Sequence, residues 1–153
     1  MDPLSDPDVF LLQEVESASP AKLRFLLIRK ALGLCQACAG MWEDKRHNEA
    51  AAWMIRVRDI LGELLDGVTD RSNPAAANVV DLYIYLLKTV LVAEQSQDLA
   101  ALKTVIEVLE IELETWNSFV RIESSGNSEY RPGAPHAAET SMDGCLSMLN
   151  LFA

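Results

Sequence analysis

Hydrophobic positions in this chain recur at spacings of three and four, and short polar turns divide them into four blocks. The block from Asn73 to Glu94 is the most apolar. Asn73 can cap a helix, and Pro74 suits a first helical position, where a missing amide hydrogen leaves nothing unsatisfied. Beyond Ala77 only Asn78, Asp81 and Lys88 mark a thin polar strip, and a helix apolar on nearly all sides is expected to be surrounded by others. The pattern therefore predicts a central helix. A membrane span would need roughly 18 uncharged apolar residues, and Asp81 and Lys88 interrupt the run.

The remaining blocks fit around it. Ser19-Pro20 repeats the cap-and-proline start, and the helix it opens is predicted to run to about Gly40. Leu23, Leu27, Ala31, Leu34, Cys38 and Met41 form one apolar row, with Phe25, Ile28, Leu32 and Cys35 beside it, while Lys22, Arg29, Gln36 and Glu43 line the far side. So broad an arc predicts two neighbours. A second helix is expected from near Asn48 to before Gly67, with Met54, Val57, Leu61, Leu64 and Val68 inward and Arg56, Asp59, Glu63 and Asp66 outward. Asp98 is the expected cap of a fourth, whose row is Leu102, Ile106, Leu109, Leu113, Trp116 and Val120. No Val- and Thr-rich run with period two is present. The fold class is all-α: an antiparallel four-helix bundle of residues 19–121. Residues 1–18 read as an N-terminal arm, 122–139 as a flexible linker too polar to order itself, and 140–153 as an apolar C-terminal segment.

Composition narrows the function more than the fold. The chain has 153 residues, half of them hydrophobic, which suits one domain. Net charge is -10; residues 1–71 carry -3 (9 basic, 12 acidic) and residues 72–153 carry -7 (4 basic, 11 acidic). Nucleic acid and anionic membrane are therefore poor partners. The first residues lack the charge and apolar run of a secretory signal, and three cysteines suit a reducing compartment better than a disulfide framework. Both features point to the cytoplasm.

Candidate chemistry is thin. Cys35 and Cys38 have redox-dithiol spacing but lie late in a helix on its apolar rows, where small core residues are the better reading. With His47 and His136 as the only histidines, a zinc site lacks ligands; no metal and no cofactor is expected. His47 as a phosphoryl carrier is a minor alternative, and of Glu107, Glu110, Glu112 and Glu114 three lie on the solvated stripe. Tyr83 and Tyr85 point in different directions and read as core residues whose hydroxyls need partners. Nothing here argues for an enzyme.

The order of segments, in contrast, resembles the FliS family, bacterial chaperones that hold flagellin before export. Ala18-Ser19-Pro20-Ala21-Lys22-Leu23 matches the opening of the family's first helix. Arg58-Asp59-Ile60-Leu61-Gly62-Glu63-Leu64 resembles its second-helix motif. Asn78, Leu82, Tyr83 and Tyr85, with Val79 for a leucine, match the third, and Glu114-Thr115-Trp116 a late Glu-x-Trp. Where the family has Leu-Tyr-Asp-Gly-Ala, this chain reads Leu27-Ile28-Arg29-Lys30-Ala31.

The resemblance implies a cytoplasmic chaperone that binds the disordered C-terminal region of flagellin, blocks premature polymerisation and presents it to the flagellar type III export gate. On that reading Leu61, Leu64, Leu65, Leu82, Tyr83, Leu86 and Val90 are expected to line the client groove, through which a homodimer is also conceivable. A helical interaction module, or a secretion chaperone for another client, is the alternative. The apolar end is similar to the last residues of flagellins at Cys145-Leu146-Ser147-Met148-Leu149, so Leu146, Met148, Leu149, Leu151 and Phe152 are expected to occupy the groove in cis.

Overall fold

A computed structural model of the chain describes residues 19–126. It contains four helices, α1 (Pro20–Glu43), α2 (His47–Asp66), α3 (Pro74–Ser96) and α4 (Leu99–Gly126), with no strand among the described residues. The starts follow local chemistry. The Ser19 hydroxyl accepts from the Lys22 amide at 3.2 Å, and the Asn73 side chain accepts from the Ala75 amide at 2.9 Å. Asp98 accepts from the amides of Ala100 and Ala101, at 3.0 and 3.2 Å. Each satisfies a helix-start donor that would otherwise lack a partner. Short turns make successive helices antiparallel, and α1 packs on α2 and α4 while α3 packs on the same two from the other side. The result is a square ring.

Two helices run further than expected. α1 passes Gly40 to end at Glu43, because an exposed glycine does not stop a helix whose next turn buries Trp42. α4 passes Arg121 through Gly126, so residues 122–126 belong to the bundle and not to the linker. Glu123 accepts a hydrogen bond from the Ser19 hydroxyl at 2.7 Å, and Ser124 and Ser125 donate to the carbonyls of Val120 and Arg121. These side chains satisfy themselves along the last turn. The arm and the C-terminal segment lie outside the described residues.

The expectation of a central third helix is overturned. α1 is the buried element: eleven of its residues are buried, among them Ile28, Ala31, Cys35 and Cys38 with no exposed surface. α3 buries one stripe of five, Ala76, Tyr83, Leu86, Val90 and Ala93. By length and composition α3 is apolar enough to cross a membrane, with a mean hydropathy of 1.5, yet only 22% of that window is buried. A circumference of apolar residues reports what a helix can bury, and here two neighbours cover only the inner third.

Candidate functional site: two apolar troughs flanking α3

At one end of the ring the core is polar. Arg24, 5% exposed, donates from Nη1 to the Leu64 carbonyl at 2.7 Å. Beside it the Tyr83 hydroxyl donates to Glu112 Oε2 at 3.3 Å, and the Trp116 indole donates to the same oxygen at 3.3 Å. All four helices meet in this node. A Cβ on Gly67 would collide with the Arg24 guanidinium, so the glycine at the end of α2 makes room for it. Burial lowers the Arg24 pKa against the pull of Tyr83 and Glu112. It raises that of Glu112 against hydrogen bonds from Trp116 and Tyr83 and the Arg24 charge. Such a network costs desolvation but fixes register, since a slip by one turn would strand a buried charge. Its effect is to hold α3 at one rotation.

That rotation leaves two apolar rows on the flanks of α3 half-buried, with Leu91 exposed on one and Tyr85 and Val92 on the other. Val80, Ile84, Leu87 and Leu91 follow one another at spacings of four, three and four, and Glu94 continues the row. On α2 the row Ile55, Arg58, Gly62 and Leu65 has the same spacing, and Arg58 meets Glu94 at 3.3 Å. The ion pair aligns the two rows as walls of one trough between α2 and α3. Leu91 is 39% exposed and Ile55 49%, and a Cβ on Gly62 would meet nothing within 4 Å. Gly62 thus leaves a gap in the α2 wall.

The second trough runs between α3 and α4. Its α3 wall is Leu82, Tyr85, Thr89 and Val92, with Tyr85 49% and Val92 52% exposed. Lys103 meets Glu43 of α1 at 3.4 Å, which turns the opposite flank of α4, Thr104, Val108, Ile111 and Thr115, toward α3. Ile111 is 65% exposed, and the Tyr83–Glu112 bond sets Tyr85 and Ile111 at one level. Thr89, Thr104 and Thr115 donate their hydroxyls to the carbonyls of Tyr85, Ala100 and Ile111, so they offer methyl groups outward. Both walls are apolar in effect.

The residues expected to line a client groove are divided by this geometry. Leu61, Leu64, Tyr83, Leu86 and Val90 have no exposed surface and form the interior, which corrects their assignment to a surface. Leu65 and Leu82 sit half-buried on the trough edges. The reason is a rotation of about one residue step: Leu82, Tyr83 and Leu86 share a motif, but the node pulls Tyr83 inward and leaves Tyr85 outside. Tyr85 is thus not the core residue expected. Leu146, Met148, Leu149, Leu151 and Phe152 lie outside the described residues. Arg24 is inward by the same periodicity as its apolar neighbours: Ala21, Arg24, Ile28, Ala31, Cys35, Cys38 and Trp42 alternate spacings of three and four, a signal that its charge masks.

Other groups offer less. Cys35 and Cys38 are free and buried, and burial pushes their thiols up to about 12 and about 11, so neither is a ready nucleophile. No metal-holding group of three His, Cys, Asp or Glu side chains exists among the described residues. His47 opens α2 and stacks on Trp42 at 5.5 Å. Two concavities lie beside it, one of about 190 Å³ lined by Met54, Glu94 and Gln97 among others, the other of about 440 Å³ lined by charged and polar side chains, Lys45, Arg46 and Glu49 among them.

Among the described residues the surface feature that stands out is the set of exposed apolar side chains beside α3, Tyr85, Leu91, Val92 and Ile111. The comparison with known families goes further: residues 10–123 match the model of the family described as flagellar protein FliS, and the chain belongs to that family. It is a family of flagellar export chaperones, not of enzymes. No curated protein matches the chain.

Proposed function

We propose that the protein is a cytoplasmic chaperone that binds the disordered C-terminal region of flagellin along α3, prevents its premature polymerisation and hands it to the flagellar type III export apparatus. The observation that supports this is the exposure of Tyr85, Leu91 and Val92 on the two flanks of α3 in a chain of this family. Disordered partners fold against such surfaces by laying helical anchors into grooves.

Magnitudes favour use of both troughs. Burying the exposed half of a Leu, Ile or Tyr side chain returns on the order of 1 kcal/mol. Four or so anchors in one trough barely offset the roughly 2–5 kcal/mol needed to order the partner. Two troughs leave a surplus. The client therefore wraps α3 from both sides, with Ile84, Leu87 and Leu91 in one contact and Leu82, Tyr85, Val92 and Ile111 in the other.

The test is co-elution of a C-terminal flagellin fragment with the intact protein. Leu82→Ala with Tyr85→Ala should lose the fragment and keep the helical circular dichroism. Replacing Tyr83 instead would disturb the node and confuse binding with folding. Undiminished co-elution by a folded double variant rejects the assignment, and capture of some other exported protein in place of flagellin redirects it to a different client.

A further inference from the structure

The outermost rows beside the α3–α4 trough alternate apolar and polar side chains. On α3 the row is Asp81, Tyr85, Lys88 and Val92, and on α4 it is Glu107, Ile111, Glu114 and Ser118, all exposed and spaced by four, three and four. The two helices run antiparallel, so the hydrogen bond from Tyr83 to Glu112 fixes which positions share a level. Two residues from that bond in one direction, Asp81 and Glu114 stand at one level; five residues in the other, Lys88 and Glu107 do. One end of the trough is therefore balanced. The other carries a carboxylate on each rim, beside Tyr85 and Ile111, and neither carboxylate makes an ion pair among the described residues.

We propose that the α3–α4 trough takes an amphipathic helix whose apolar anchors lie between Tyr85 and Ile111 and whose flanks carry lysine or arginine over Asp81 and Glu114. A helix laid in a groove puts its anchors inside and its flanking side chains over the two rims. There a basic side chain gains attraction from a carboxylate, and its long stem covers apolar surface on the way. An acidic side chain meets like charge instead. That the helix belongs to a flagellin rests on the function proposed above; the preference for basic flanks does not.

Charge also argues against a second copy of this chain as the occupant. Turned face to face about a twofold axis, two such troughs bring Asp81, Glu107 and Glu114 of one copy toward the same three residues of the other. Lys88 is the one basic residue in the two rows, and Lys103 is turned away toward Glu43 of α1. Like charges on both sides keep copies apart and draw a basic partner in.

Two synthetic alanine-based helical peptides test this, alike in leucine anchors at spacings of three and four and differing only in lysine or glutamate beside the leucines. Against the intact protein at about 0.15 M salt, where the Debye length is about 8 Å, the lysine peptide should bind about tenfold more tightly than the glutamate peptide. The preference should shrink severalfold at about 1 M salt. Asp81→Asn with Glu114→Gln should remove most of it. Asp59→Asn with Glu63→Gln makes the same change in net charge on the outer face of α2, diagonally across the ring from α4, and should leave it intact. Equal affinities for the two peptides, binding of neither, or equal loss in the two double variants overturns the proposal. A dimer that breaks up in Tyr85→Ala with Ile111→Ala, but not on addition of the lysine peptide, overturns it in favour of a second copy. The flagellin fragment is read in the same assay: if it fails to bind while the lysine peptide behaves as expected, the function reading falls alone.

Discussion

α1 and α3 are similar in length and both strongly apolar, yet one is the buried axis of the bundle and the other lies half outside it. α1 packs broadly on two helices and buries eleven residues. α3 touches two helices more lightly and buries five. The difference shows that apolar content measures what a helix can bury, whereas position is set by which face its neighbours match. α1 carries charges along its outer side and spends its apolar surface inside the molecule. α3 has more apolar surface than its fold consumes, and that surplus is available to a partner.

Substitutions should separate the two helices most sharply where α1 enters the node. Arg24→Met removes the cation beside Glu112 and is expected to cost about 3–5 kcal/mol in urea unfolding, and Ile28→Ala, in a site with no exposed surface, about 2–5 kcal/mol. Leu91→Ala on the exposed flank of α3 should cost less than about 1 kcal/mol. Comparable losses at Ile28 and Leu91 would erase the distinction between them.

The trough between α2 and α3 can be filled without touching the core. Gly62→Trp meets open space and replaces a poor helix former, so thermal stability should hold or rise by roughly 0.5 kcal/mol. Flagellin-fragment affinity, measured by calorimetry, should fall by about tenfold or more, the equivalent of one or two lost anchors. Full affinity would mean that the client leaves this trough empty.

A smaller effect follows from the node. The Glu112 carboxyl is held above its ordinary value by burial, outweighing its hydrogen bonds to Trp116 and Tyr83 and the Arg24 charge. A raised carboxyl pKa means the folded state binds the proton first, so the stability it contributes is present below the ordinary value and lost as pH rises through the folded-state value. Relative to Glu112→Gln, the wild-type protein should therefore be more stable near about pH 5 than near about pH 8. A difference independent of pH would show that the carboxylate is well solvated. Least of all, Lys103→Ala breaks an ion pair exposed on both sides and should change stability by less than about 0.5 kcal/mol.

Helix number, caps and loops were legible because they rest on local chemistry: Ser19, Asn73 and Asp98 each cap a helix, and the row of Met54, Val57, Leu61 and Leu64 does point inward. Helix rank was not. Periodicity cannot weigh α3 against α1 when both are apolar, and it placed Tyr83 and Tyr85 together in the core. What separates them is a tertiary event, the hydrogen bond from Tyr83 to Glu112 beside Arg24. The pattern could not say which side chains of α3 stay outside, because a turn of about one residue step exchanges Tyr83 for Tyr85.

Methyl-resolved spectra of the intact protein, recorded as the C-terminal flagellin fragment is added, address the surplus surface of α3 most directly. Ile84, Leu91, Val92 and Ile111 should shift on binding, while Leu61, Leu64, Val90 and Leu109 in the interior stay in place. Shifts throughout the interior, or none along α3, would contradict the account.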